Sequence, residues 1–228
     1  MKDEKKRDLK TEALVLKRTN YGETDRILTI LTPEGKKSVL AKAARKERSK
    51  LAGGIEMFCR SEIVIHQGRG KLAILTSAKM REYYQNILTN METLEVASEI
   101  LKKIIKVTEA TDNEDYYKVT VESLSALNRN APRDTVLAWF YFNVARIGGE
   151  QVNLYYDVNG EKLAEDLQYN WDGLEKALRP VKSGKIGASE IKMMRLMLAA
   201  ELGLVLRVKE AEPMMSELLY IAKTLNQL

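Results

Sequence analysis

Apolar and polar positions alternate with a period of two through the first 80 residues, the pattern of strands with one buried face. Five such runs follow one another: EALVLKR (12–18), RILTILT (26–32), KKSVLAKA (36–43), MFCRSEIVIH (57–66) and KLAILTSA (71–78). Turn signals stand between them. NYGETD (20–25) separates the first pair, and TPEG (32–35) places Pro33 and Gly35 at the second and fourth positions of a type I turn. GRG (68–70) predicts a tight last hairpin. Only the connection at residues 44–56 is long.

Five short strands with one long link after the third fit a small Greek-key barrel. The OB-fold, which commonly binds single-stranded nucleic acid, is one such barrel among several, and a fold does not by itself prove a function. After residue 80 the period lengthens. ETLEVASEILKKIIKVT (92–108) sets Leu94, Ala97, Leu101, Ile104 and Ile105 along one helical face. EDYYKVTVESLSALNR (114–129) continues with Tyr117, Val121, Leu124 and Leu127. Pro132 stands where a helix can start. RDTVLAWFYFNVARI (133–147), apolar nearly all round, predicts a central helix ended by Gly148 and Gly149. Residues 150–185 are polar and weakly periodic, with YYDVNGEKL predicting a turn or a ragged hairpin. Helices are expected again over 188–202, with Ser189 as cap, and over 212–228, with Pro213 in the first turn. The expected class is α+β: a five-stranded β-barrel in residues 1–80, then a mainly α-helical domain in 81–228.

Composition changes this picture little. At 45% hydrophobic and 30% charged, the 228 residues suit a soluble protein of one large or two small domains. No run of about 18 apolar residues predicts a membrane helix. MKDEKKRDLK (1–10) lacks the apolar stretch of a signal peptide and is expected to be a flexible leader on a cytoplasmic protein. Cys59 is the one cysteine, which leaves no disulfide framework and no thiolate-rich zinc site; a small buried apolar residue is the expectation. Charge says more. Residues 1–82 hold 20 Lys and Arg against 11 Asp and Glu, while residues 83–228 hold 17 against 21. Such asymmetry hints at polyanion binding by the first part, although a lysine-rich N-terminus contributes to it.

Catalytic patterns are weak. His66, the single histidine, lies seven residues from Cys59, so the two face opposite sides of a regular strand and make no nucleophile–base pair. Two ligands are also too few for zinc. SGKIGAS (183–189) departs from a phosphate loop at Ile186 and at Arg179, and DVNGEKLAEDLQ (157–168) departs from a calcium loop at Lys162 and Gln168. Glu23 and Asp25 would serve a small hydrolase or nuclease; capping, or pairing with Arg26 near the turn, is the favoured reading. The methionines Met193, Met194, Met197, Met214 and Met215 have helical spacing that suits a core, with an adaptable partner groove as the alternative.

The cations carry the strongest functional hint. Lys17 and Arg18 end the first strand, Arg26 opens the second, and Lys36 and Lys37 open the third. Lys42, Arg45, Lys46, Arg48 and Lys50 fill the following stretch, and Arg69 and Lys71 flank the last hairpin. Closing the barrel would gather several of these ends into a groove that tracks phosphates with salt-dependent affinity. The competing readings are a solvated basic loop and, for the whole barrel, an OB-fold adaptor that binds protein and has no DNA activity. Tyr21 and Phe58 are the only aromatic platforms in this part, so sequence-specific base reading is not expected.

One ordered set of elements is more specific. A run YGE-x-D-R-I-L-T-x-L-T spans Tyr21 to Thr32 and is followed by Gly35-Lys36. A K-x-A-R element with a basic tail and LAG covers Lys42 to Gly53, and a GRG-x-L hairpin covers Gly68 to Leu72. Over about 65 residues this order and spacing resembles the N-terminal domain of the RecO family of bacterial recombination mediators. The resemblance implies an OB-fold barrel with a helical C-terminal domain and no enzymatic activity. It implies binding of single- and double-stranded DNA, strand annealing, action with RecR, engagement of the single-stranded-DNA-binding protein's C-terminal tail, and RecA loading during gap repair. Many relatives carry a four-cysteine zinc module in the helical part. Residues 150–180 hold no Cys or His, so a degenerate, cysteine-free version of that module is expected at about 150–185, metal-free, shortened or rebuilt from YYDVNGEKL, with no cofactor. Arg129 and Arg133, flanking Pro132, are the candidates for docking the acidic tail.

Overall fold

The computed structural model describes residues 8–67, 72–109, 111–150, 152–209 and 211–226. It divides into two compact units, Met1–Leu124 and Ser125–Leu228. In the first, strands β1 (Asp8–Tyr21), β2 (Asp25–Thr32), β3 (Gly35–Ala41), β4 (Cys59–His66) and β5 (Ala73–Tyr83) close a barrel in the order β1-β2-β3-β5-β4. All pairs are antiparallel except β3–β5, the closing pair made possible by the long third link. This is the five-stranded OB topology expected from the sequence, within a mixed α+β chain.

The period-two pattern sets what fills the barrel. Val15, Leu28, Ile30, Val39, Ile63 and Leu75 point inward and form one core. Each such buried side chain is worth about 2 kcal/mol. On β1 the opposite face is buried as well: Leu14 and Leu16 are covered, and helix α1 (Met91–Val107) packs against this strand. The β2–β3 hairpin turns at Pro33 and Glu34. Gly35 has φ +96°, and a Cβ there would lie 2.0 Å from Asp112 Oδ1. Both the backbone conformation and the close approach demand glycine.

Several expected boundaries move. Residues 8–10, expected in a flexible leader, are strand: Asp8 pairs in register with His66, whose Nδ1 lies 2.6 Å from Asp8 Oδ1. β5 passes residue 80, and Tyr84 N–H donates to Phe58 O at 3.0 Å. The first compact unit also includes α1 and most of α2 (Glu114–Asn128), so it ends near residue 124 rather than 80. Two features explain this. The apolar outer face of β1 needs a cover, and Arg60 on β4 donates to Glu12 and Glu82 at 3.2 Å each. Tyr117 of α2 donates to the same Glu12 at 3.0 Å. Burial and the Glu12 charge hold the Tyr117 phenol well above its ordinary pKa. The GRG hairpin (68–70) lies outside the described residues.

In the second unit α3 (Arg133–Ile147) is the central helix its composition predicts: every residue from Thr135 to Ala145 is buried. α6 (Glu212–Thr224) packs along it and ends at Thr224, short of the expected 228. The helix expected over 188–202 is broken. α4 spans Ala188–Ala199 and Ala200 is extended. Trp139 Nε1 donates to Ala200 O at 3.0 Å, and the short α5 (Leu202–Val205) follows. Ser189 is not the cap. Gly187 holds that position, and its N–H donates to Glu190 Oε2 at 2.9 Å. Met193, Met194, Met197 and Met215 are buried, as the core reading expects.

Residues 150–185 form more than a ragged hairpin. β6 (Asn153–Asp157), β7 (Gln168–Asp172) and β8 (Ala177–Val181) make a three-stranded sheet with β8 central. Periodicity is faint because the strands are five residues long and their turns are closed by side chains. Asp157 Oδ1 accepts the Asn159 and Glu161 amides at 2.8 and 3.0 Å, and Asp172 Oδ1 accepts those of Leu174 and Glu175 at 3.0 and 3.1 Å.

Candidate nucleic-acid interface

The link from β3 to β4 is pinned to the β1–β2 turn. Ala43, left-handed at φ 51°, donates its amide to Asp25 Oδ1 at 2.7 Å. Ala44 turns inward and joins the barrel core. Arg45 N–H donates to Thr24 O at 2.8 Å, and its guanidinium donates to Gly22 O at 3.3 Å. The next turns close through Lys46 N–H to Ala43 O and Ser49 N–H to Lys46 O. A short 3-10 turn at Ala52–Gly54 then approaches β5 so closely that a Cβ on Gly54 would lie 2.5 Å from Ala78 O. With its backbone held inward, the segment turns its polar side chains out. Lys42, Arg45, Lys46, Arg48 and Lys50 are all exposed, and none has a carboxylate partner among the described residues. Lys42 lies just past the end of β3 and faces solvent, not the core.

The strand cations fare differently. Arg18 pairs across from Leu28 and Arg26 across from Ala41, both core positions. Side chains alternate between faces, so both arginines project on the inner face at the barrel's end. Glu56 meets them there: Arg18 Nη1 lies 2.5 Å from Oε2 and Arg26 Nη1 3.9 Å from Oε1. Lys36 Nζ donates to Ile105 O at 2.8 Å, a cation on the last turn of α1, where the helix dipole favours it. Lys37 Nζ donates to Glu34 O at 3.2 Å. Lys17 is exposed and, with Lys102, borders a cleft of about 460 Å³ over Leu16, Met57 and Leu101. Arg69 and Lys71 lie outside the described residues. Asp25 does not pair with Arg26, because it is taken by Ala43 N–H and by the Thr24 hydroxyl at 3.1 Å. Tyr21 remains a platform at 55% exposure; Phe58, at 4%, does not.

Residues 6–84 match the sequence model of the family described as recombination protein O N terminal. Over the barrel, the chain is similar to this family. Curated relatives agree. A DNA repair protein RecO from Roseiflexus sp. (strain RS-1) is 32% identical over 149 residues, covering 64% of this chain and 52% of the relative. One from Dehalococcoides mccartyi (strain ATCC BAA-2266 / KCTC 15142 / 195) is 27% identical over 152 residues, covering 66% and 60%. One from Acetivibrio thermocellus is 37% identical over 94 residues, covering 41% and 37%. The matched part thus spans little more than half the length of the first relatives.

The zinc expected of many RecO relatives does not fit. The sheet lobe has no Cys or His, Asp157 and Asp172 are committed to backbone amides, and no group of three metal-ligating side chains occurs among the described residues. Cys59 and His66 stay apart. Cys59 Sγ is buried 3.3 Å from Ser61 Oγ, and burial pushes its thiol up. His66 turns to Asp8. No described helix is long and apolar enough to cross a membrane. In the second unit Arg129 is exposed, while Arg133 lines a cavity of about 510 Å³ with Pro132, Met215, Asp134 and Glu212. The two acids sharing that cavity weaken its attraction for an acidic tail. Glu56 escaped the sequence reading, because nothing in GGIEMF signals that the barrel brings it between two arginines.

Proposed function

We propose that the chain is a non-catalytic DNA repair and recombination mediator of the RecF pathway. It binds single- and double-stranded DNA, anneals complementary strands and assists RecA loading on DNA coated by single-strand-binding protein. The observation that carries this reading is the outward array of five cations, Lys42, Arg45, Lys46, Arg48 and Lys50, on a barrel of the recombination protein O family. Exposed cations with no carboxylate to satisfy them can neutralise phosphates. Held between two strands, they reduce the repulsion that opposes pairing and release counterions on binding. Tyr21 adds one stacking surface without sequence preference. RecR and the tail of the single-strand-binding protein are the proposed protein partners, with Arg129 and Arg133 as the tail's candidate contacts. The protein needs no cofactor for this and works in the cytoplasm on nucleoid DNA.

The test is binding of a fluorescent single-stranded oligonucleotide from 50 to 300 mM salt. The log–log slope is expected to be about −3.5, since each of five phosphates on a single strand contributes about −0.7. A flat response, or no acceleration of annealing on coated DNA, sinks the reading.

A further inference from the structure

We infer that the barrel end closed by Arg18, Glu56 and Arg26 is a latent phosphate site, opened when a DNA phosphate takes the place of the Glu56 carboxylate. The inference rests on the DNA-binding reading above and adds a site to it. Two guanidiniums share one carboxylate, so the cluster carries a surplus positive charge. Arg26 is poorly served: its Nη1 is 3.9 Å from Glu56, beyond hydrogen-bond range, and its Nε is buried with no partner. A guanidinium presents its donors as a planar fork that fits two oxygens of one anion. A phosphodiester has two non-bridging oxygens and the same single charge as a carboxylate, so it substitutes one for one. A buried donor left without an acceptor is costly, and the exchange would relieve that cost.

Glu56 is well placed to leave. Its side chain is 42% exposed, while its neighbours Ile55 and Phe58 are anchored in the core. A side-chain rotation therefore vacates the site without moving the backbone. In the free protein the carboxylate satisfies Arg18 and competes with weakly held anions; a strand already captured by the outer loop competes with it at high local concentration.

The experiment compares Glu56→Gln with the parent for binding of a dT oligonucleotide. Affinity is expected to rise about fivefold, and the log–log salt slope to steepen by about one phosphate's worth. In an Arg18→Met, Arg26→Met background the same Glu56→Gln change is expected to give no gain. Parent-like affinity for Glu56→Gln, or a gain that persists without the arginines, overturns the inference. Arg45→Ala, Lys46→Ala, Arg48→Ala separates the two readings: if it leaves binding intact, DNA binding by the loop itself is wrong. If it abolishes binding while Glu56→Gln stays silent, only the latent site is wrong. In the unaltered protein, the Nε–Hε NMR signals of Arg18 and Arg26 are expected to move with the oligonucleotide and not with equal phosphate supplied as inorganic phosphate. Signals unmoved by DNA, or moved equally by free phosphate, overturn it without recourse to any variant.

Discussion

Five cations follow one another in the segment Lys42–Lys50, and five more, Lys17, Arg18, Arg26, Lys36 and Lys37, stand on strands β1 to β3. The residue types are the same and the surroundings differ. On a strand, direction is dictated by register, so a side chain meets whatever the neighbouring strand or helix places there. Arg18 and Arg26 meet Glu56, Lys36 meets a helix carbonyl, and Lys37 meets its own turn; Lys17 alone stays out. In the link, the backbone is anchored at Ala43, Ala44 and Arg45, and the long side chains point to water without a carboxylate partner, Arg45 making one donation to Gly22 O. Charge density along a chain is thus a poor guide to charge available at a surface. The number of anchored backbone groups and the facing residues decide it.

The largest expected break in this comparison comes from Arg45→Ala, Lys46→Ala, Arg48→Ala. Single-stranded DNA affinity at low salt is expected to fall on the order of a hundredfold and the salt slope to shrink by about two, with urea stability unchanged. The converse is a strand cation that holds the fold. Arg60→Ala leaves Glu12 and Glu82 facing each other and frees the Tyr117 clasp. Because the group is partly exposed, a loss of about 2 kcal/mol in urea unfolding is expected, with DNA affinity kept. The smallest effect is expected for Lys36→Met, which removes a cation from the end of α1: about 0.5–1 kcal/mol of stability and less than a twofold change in DNA affinity. A large loss of DNA binding in Lys36→Met would show that a strand cation reaches the nucleic acid after all.

Much of the fold is legible before any coordinates. Five alternating runs, one long link and an apolar 15-residue segment give the barrel and the central helix, because burial on one face imposes a period. The lobe at 150–185 is not legible in that way. Its strands are too short for a period, and its turns depend on Asp157 and Asp172, which read as ordinary surface acids. The break at Ala200 is equally hidden, since it depends on Trp139 some 60 residues earlier.

The candidate site divides along the same line. Local sequence by itself determined that residues 42–50 are basic, that Gly35 sits at a tight turn and that the N-terminal part is a small five-stranded barrel; the order of its elements resembles recombination protein O, and the closed β1-β2-β3-β5-β4 order came from the structure. Only the tertiary structure decided which cations are free. That choice depends on strand register and on a single acid, Glu56, brought to Arg18 from 38 residues away. Hydrophobic period is a property of neighbours in sequence; an ion pair across a barrel is a property of neighbours in space.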